Sequence, residues 1–495
     1  MIVHVDPTEI VGFLTLGIHD AGVYFAEHTR VQATAATLAS RLDAVFMGVD
    51  DASMFLGVVE RRLVHNGKFL LGPTLIAKRL IEAADRFGSG GFLFRRGVTA
   101  QELVAFFAVC SNIRAKCASI DDARQLLRSR GVFAIEVSPP FGSAGWLGGL
   151  EEASAARVAA EVVRSLGGAI PAYQRLREAV ETAHAAAEAG KDIDVSDSRG
   201  AVESLLAEME NNAADVLHLA RYPDQASHTI GHSVRVALLV LMVGRHLQFP
   251  PRALVEIGTA GLLHDVGKAR VPRALLFKKG ALDAEERRIV ESHAVQGARI
   301  LLATPDSPPL GVAAAFGHHM RHDRCGYPAI PQWGAQGRVT ALMQVCDVFE
   351  ALTAVRPNRA SLSPRRAYET MMADRGAFDR PAFAAFVGAI GFFPPGSRVK
   401  LVSGEEAFVL RAGRDPEKPV VEIMRTPDGA VVPLRERRAI DLENPDEAGT
   451  LTIDDVLVDD VSVGAHSAEE HTEEAASCCG PADAQPAESE QQSNA

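Results

Sequence analysis

The sequence is short of cysteine, of long apolar runs and, over its final stretch, of any basic residue. Six Cys in 495 residues do not read as a disulfide framework. Residues 1–6, Met-Ile-Val-His-Val-Asp, offer neither the basic start nor the apolar region of a secretory leader. The longest apolar run, residues 236–243, is far too short to span a bilayer. The expectation is a soluble, cytoplasmic protein with no membrane partner. Residues 439–495 contain 15 Asp plus Glu and no Lys or Arg. Without them the formal charge of -12 becomes +3, 51 basic residues against 48 acidic. That near-neutral body excludes the broad basic field a DNA or RNA polymer needs. Any anionic ligand must be recognised locally. No internal repeat is visible.

With 47% hydrophobic residues there is material for two or three globular units. The pattern predicts a mainly α protein: a helical metal-binding domain, an N-terminal α/β module and a small C-terminal β appendage. Residues 1–138 mix strand signals at 69–71, 91–94 and 132–137 with a helix start at Thr99-Ala100-Gln101-Glu102. Val5-Asp6 and Val49-Asp50-Asp51 invite comparison with a phospho-receiver, but Ser138 stands where a receiver needs Lys. A regulatory or interaction module is the reading adopted. The Pro- and Gly-rich residues 139–150 form a linker. Residues 151–397 are the helical domain, beginning with an Ala-rich segment, and 398–460 carry alternating β segments. Residues 461–495, rich in Ala, Glu, Ser and Gln, read as a disordered acidic tail.

The chemistry lies in an ordered set of His and Asp. His264-Asp265-Val266-Gly267-Lys268 offers imidazole nitrogen, a carboxylate able to bridge two cations, and an ammonium. Pro250-Pro251 suits a helix start, and Leu254, Ile257, Gly261, Leu262 and Val266 follow a helical rhythm ended by Gly267. Four residues after His264, Lys268 would share its helix face. His228 and His232 are also four apart, ahead of an apolar run. His293 precedes another, His318-His319 closes a third, and Asp347 lies within a fourth. Imidazoles with few carboxylates favour iron, manganese, zinc or related ions over magnesium or calcium. They exceed what one tetrahedral site requires, so more than one ion is expected.

The order of these motifs resembles the HD-GYP family, a branch of the HD phosphohydrolase superfamily, over roughly residues 200–400. The matching segments are His232-Ser233-Val234-Arg235-Val236, His264-Asp265-Val266-Gly267-Lys268, and His293 with Gly297. They continue as His318-His319-Met320-Arg321-His322-Asp323-Arg324-Cys325-Gly326-Tyr327-Pro328, then Asp347 through Ala351-Leu352-Thr353 to Arg356-Pro357. The resemblance implies a metal-dependent phosphodiesterase that opens cyclic di-GMP to the linear dinucleotide or GMP. It implies His232, His264, Asp265, His293, His318, His319 and Asp347 as ligands of two divalent transition-metal ions, iron or manganese first. His228 stands where three-metal relatives carry Glu, giving a third ion if it ligates. Asp265 and Lys268 become the catalytic pair. Lys268, Arg321, Tyr327 and Arg356 become contacts of the cyclic dinucleotide. GGDEF-type proteins docking at the Gly-Tyr-Pro loop, and a homodimer, are the partners it suggests.

Departures from the family pattern fall in one loop. Met320 replaces a Glu, Arg324 replaces a Gly and Cys325 follows. Met accepts none of a carboxylate's hydrogen bonds, and Arg enters a positive-φ turn less readily than Gly. The presumed ligands are intact, so the loop bears on the substrate rather than on the metals. The alternatives are a slow or inactive cyclic di-GMP receptor and a hydrolase of another nucleotide.

Overall fold

The computed structural model describes residues 7–457 apart from 47–52, 60, 67, 148–167, 221–227, 277, 279, 332–333, 355–361, 431, 433–435 and 450. The acidic tail, the start of the Ala-rich segment, the end of the linker and Arg356 therefore lie outside the described residues. So does the side chain of His228. The protein is mainly α, with two small sheets. None of the described helices is long and apolar enough to cross a membrane.

The N-terminal module carries a five-stranded antiparallel sheet in the order β3-β2-β1-β4-β5: β1 Ser53–Val59, β2 Arg62–His65, β3 Lys68–Phe69, β4 Gly91–Arg95 and β5 Ile135–Ser138. Every pairing is antiparallel, whereas a receiver's strands run parallel, so this module is not a receiver. Its helices Pro7–Val23 and Ala100–Asn112 pack together, with Leu14, Phe106 and Phe107 fully buried. Thr99 begins the second helix with a reciprocal capping box to Glu102. The same Glu102 accepts from the backbone N–H groups of Phe133 and Ala134, tying the helix to the segment before β5. The expected strand at 69–71 shrinks to β3, because Leu71 opens the short helix Leu71–Ile76. The first part of the linker folds back, placing Trp146 edge-on to Phe55 and Phe141.

The helical domain runs from Ala169–Glu188 to Arg380–Ile390 around one large apolar core. Leu71 and Leu75 of the N-terminal module belong to that core, so the two units share apolar contacts. The C-terminal sheet has the order β10-β6-β7-β8-β9: β6 Arg398–Leu401, β7 Glu406–Arg411, β8 Val420–Arg425, β9 Ala439–Asp441 and β10 Ile453–Leu457. β6, β7 and β8 coincide with the alternating segments. β9 is too short, and β10 with its paired Asp454-Asp455 too acidic, to be seen in the sequence.

One backbone approach sets up the centre of the domain. The helix Pro251–Leu263 stops before His264, and a 3₁₀ turn, Val266–Arg270, follows. Lys268 therefore does not continue the helix of His264, as the spacing suggested. A Cβ on Gly267 would stand 2.0 Å from the carbonyl oxygen of His293 and 2.4 Å from the nitrogen of Gly297. The turn can lie against the helix His293–Ala303 only because Gly267 has no side chain. Gly267→Ala should cost at least the roughly 1–3 kcal/mol typical of overpacking. Calorimetry should show a lower melting temperature, and metal analysis a lower metal content. A wild-type melting curve for this variant would show that the approach is not a constraint.

Candidate metal centre

Five helices and the turn deliver the ordered His and Asp set to one buried place. His232 comes from the first turns of His228–His246, and His264 and Asp265 from the end of Pro251–Leu263. His293 begins the helix His293–Ala303, His318 caps Pro309–Gly317 with His319 beside it, and Asp347 projects from Arg338–Thr353. His264, Asp265 and His318 are fully buried, and His293 nearly so. Three groups of donor atoms converge within 4.8 Å: His232, His264 and Asp347; His264, Asp265 and His318; and His293, His318 and His319.

Asp265 divides the set in two. Its Oδ2 lies 3.5 Å from His232 Nε2 and 3.6 Å from His264 Nε2. Its Oδ1 lies 3.4 Å from His293 Nε2 and 3.6 Å from His318 Nε2. Asp347 repeats the pattern at the edge, with Oδ1 3.0 Å from His232 Nε2 and Oδ2 3.8 Å from His319 Nδ1. Lys268 Nζ donates to Asp265 Oδ2 at 2.5 Å. The His-Lys face expected from a helix is thus replaced by an Asp-Lys pair across the 3₁₀ turn.

The donor chemistry fits cations. His264 Nδ1 faces the Gly261 carbonyl at 2.8 Å, His293 Nδ1 that of Val290 at 2.7 Å, and His318 Nδ1 that of Ala314 at 3.0 Å. A neutral imidazole has one N–H, and these carbonyls take it, so each Nε2 presents a lone pair. The Nε2 atoms of His293 and His318 stand 3.2 Å apart, an unfavourable approach of two lone pairs unless a cation lies near both. His264 Nε2 and Asp265 Oδ1 are buried with no hydrogen-bond partner, a costly state that a bound metal would relieve.

Electrostatics favour the ligating forms. Burial pushes His264 down to about 4 and His293 down to about 3, and holds His319 well below its usual range. Burial alone would raise Asp265, but Lys268 and the surrounding imidazoles hold it well below the usual carboxylate range. His232 behaves oppositely. Burial lowers it, yet Glu350 and Asp347 outweigh that and raise it to about 9.

Glu350 is the residue that motif reasoning passed over. It is buried, pairs with His232 Nδ1, and accepts from Arg235 Nε at 2.5 Å. A carboxylate on the far nitrogen of an imidazole fixes its ring plane and tautomer, turning Nε2 to the centre. The signal was present: Glu350 follows Asp347 by three residues, which places both on one helix face. His184 was also passed over. It lies on the Ala169–Glu188 helix, and the charges of Asp265 and Lys268 act on it. Nothing local in the sequence marks it.

The Gly-Tyr-Pro loop packs against this centre. Tyr327 lies 4.5 Å from His319 ring to ring, and its backbone N–H donates to the His319 carbonyl. A Cβ on Gly326 would meet that carbonyl oxygen at 2.2 Å, so the loop's close return requires glycine. Arg324 adopts φ 68°, the left-handed conformation in which Gly carries no steric penalty. Met320 is buried against Gly317. The Arg321 guanidinium is held by Asp323 and, at 2.6 Å, by Asp374.

Residues 223–381 match the model of the HD domain family. Over 254 residues the chain is 35% identical to a cyclic di-GMP phosphodiesterase of Pseudomonas aeruginosa, covering 50% of this chain and 60% of that protein. Over 171 residues it is 33% identical to 3′3′-cGAMP-specific phosphodiesterase 3 of Vibrio cholerae, covering 34% of this chain and 37% of the other. Over 167 residues it is 33% identical to a cyclic di-GMP phosphodiesterase of Thermotoga maritima, covering 31% and 43%. The matched stretches span 60% or less of these relatives.

The imidazoles set a pH window for the metal-stripped protein. Below the usual value of 6.5 an unfolded chain takes up protons that His264 and His293 refuse when folded. Stability should therefore fall as pH drops from 6.5 towards 4, while the stabilisation from His232 is complete below 6.5 and disappears as pH rises to about 9. Calorimetry after chelation should show melting temperatures declining on both sides of 6.5. A flat profile between 6.5 and 4.5 would contradict the buried neutral imidazoles.

Proposed function

We propose that this protein, whose residues 223–381 match the HD domain family, is a metal-dependent phosphodiesterase that hydrolyses a cyclic dinucleotide, cyclic di-GMP first. The observation that carries the reading is the division of Asp265, each oxygen facing a different pair of imidazoles. The activities named for the relatives are in keeping with it.

His232, His264, Asp265, His293, His318, His319 and Asp347 are the proposed ligands of two divalent ions, iron or manganese, with His228 reserved for a third. Such ions supply Lewis-acid polarisation of a phosphoryl oxygen and a bound water of lowered pKa. The chain does the rest. Glu350, held by Arg235, keeps the His232 ring in one orientation. Lys268 is a half-buried ammonium beside the shared carboxylate, placed to meet the phosphate charge that grows during hydrolysis. Tyr327 forms a wall beside His319, where a base or ribose would rest. Arg356 remains a proposed substrate contact. Arg321, whose guanidinium is already engaged by two carboxylates, acts instead by bracing the loop. The exposed residues Asp323, Arg324 and Cys325 form the face a GGDEF-type protein would meet, and a cytoplasmic homodimer completes the reading.

Asp265→Ala should lose at least one metal equivalent and abolish hydrolysis. Loss of an ordinary ligand or its supporting group costs roughly 10- to 100-fold, and a shared ligand should cost more. Lys268→Ala should retain its metal and lose rate. Unchanged metal content and turnover in Asp265→Ala would remove the basis of the proposal.

A second reading, a cyclic di-GMP receptor with slow turnover, is favoured by one observation. Met320, where the family pattern has a carboxylate, is buried and apolar, and Arg324 occupies a glycine conformation. Met320→Glu combined with Arg324→Gly should raise turnover of cyclic di-GMP at unchanged metal content if this loop limits the rate. Equal turnover in the variant and the wild type would exclude the loop as the limit.

A further inference from the structure

A cavity of about 620 Å³ lies between the N-terminal module and the helical domain. One wall holds His19 and Tyr24 of the first helical region, Arg30, and Arg79 of the helix Lys78–Phe87. The other holds Arg177 and His184 of Ala169–Glu188, together with the 3₁₀ turn at Lys268 and Arg270. None of the seven proposed metal ligands lines it. Lys268 alone belongs both to this lining and to the metal centre, through its bond to Asp265.

The lining is cationic and only partly neutralised. It contains seven Lys or Arg against four Asp or Glu. Arg30 is engaged by Asp20, Tyr24 and Glu188, and Lys78 by Glu178. Arg79 and Arg270 make no ion pair among the described residues. His19 Nδ1 and His184 Nε2, on opposite walls, are buried nitrogens without a hydrogen-bond partner. Leu16, Val23, Leu75, Ile76 and Ile230 supply apolar surface within the same cavity. Guanidinium groups favour the oxygens of phosphate, and ligand cavities combine such polar anchors with apolar walls at this volume.

We infer that this cavity binds a phosphorylated, nucleotide-sized anion, with Arg79 and Arg270 on its phosphates and the apolar wall against its base. The site is distinct from the metal centre and joined to it through the turn. An anion there draws the Lys268 ammonium away from Asp265, so occupancy slows hydrolysis. That coupling rests on the proposed phosphodiesterase, whereas binding does not.

The test is calorimetric titration of GTP, as probe, into the metal-loaded full chain and two variants. The wild type should bind one GTP per chain. Asp265→Ala should bind it within about threefold of the wild type. Arg79→Glu changes an exposed side chain outside the metal centre and should lose roughly 10- to 100-fold, as for a charged hydrogen bond, with Arg79→Gln falling between. Metal content, and cyclic di-GMP turnover without GTP, should stay within about twofold in the Arg79 variants. GTP should slow turnover in the wild type and less in Arg79→Glu. Inorganic phosphate should bind at least about tenfold more weakly than GTP. The inference fails if the wild type binds no GTP, or if binding vanishes in Asp265→Ala and persists in Arg79→Glu, which places the nucleotide at the metals. It fails equally if Arg79→Glu raises KM for cyclic di-GMP, since the cavity then belongs to the substrate's own site, or if phosphate binds as well as GTP. Absence of turnover throughout would defeat the phosphodiesterase reading while leaving the GTP result intact.

Discussion

The Asp265 carboxylate is the point on which the rest of this structure depends. It is fully buried, and a buried carboxylate is tolerated only when cations or donors surround it. Lys268 answers one oxygen. The other, Oδ1, faces imidazole nitrogens whose own protons are committed to backbone carbonyls. Every helix of the domain that ends at this place contributes a group whose charge or lone pair is incomplete without a cation. The arrangement is therefore costly as a metal-free core and favourable as a binding site, which is the physical reason to read it as one.

That concentration of polar groups is held by apolar packing and by close backbone approaches around it. Gly267 lets the turn after Asp265 lie on the helix that carries His293, and Gly326 lets the loop return to His319. Glu350 and Arg235 fix one imidazole from behind. Each of these devices limits the freedom of a donor atom, so less ordering remains to be done when an ion or substrate arrives. The loop at 320–325 is the place where that logic is weakest, because an apolar side chain and a strained arginine stand where a carboxylate and a glycine are expected.

The N-terminal module is more than an attachment. Leu71 and Leu75 enter the core of the helical domain. Arg30 and Glu188 pair across the boundary, and the Gln174 side chain donates to the Thr74 carbonyl. These contacts converge on the helix Ala169–Glu188, which packs against the turn bearing Lys268. Packed groups thus run from the module's face to a residue beside the shared carboxylate.

The sequence by itself determined which spaced His and Asp residues are candidates for the centre and in what order they come, because metal chemistry restricts residue types so severely that such a pattern is legible without a fold. It also determined the helical periodicity around them, the capping box at Thr99, and three strands of the C-terminal sheet, all local in origin. Tertiary structure decided what local rules do not carry. It ended the helix before Asp265, and it constrained Gly267 through a helix some 26 residues later and not through its neighbours. It engaged Arg321 in ion pairs with Asp323 and with Asp374, a residue distant in sequence. It brought Glu350 behind His232 and His184 near Lys268. It also formed the cavity between modules, whose cations come from segments that only packing makes adjacent. Charge and burial depend on all surrounding groups at once, and those neighbours are set by the fold.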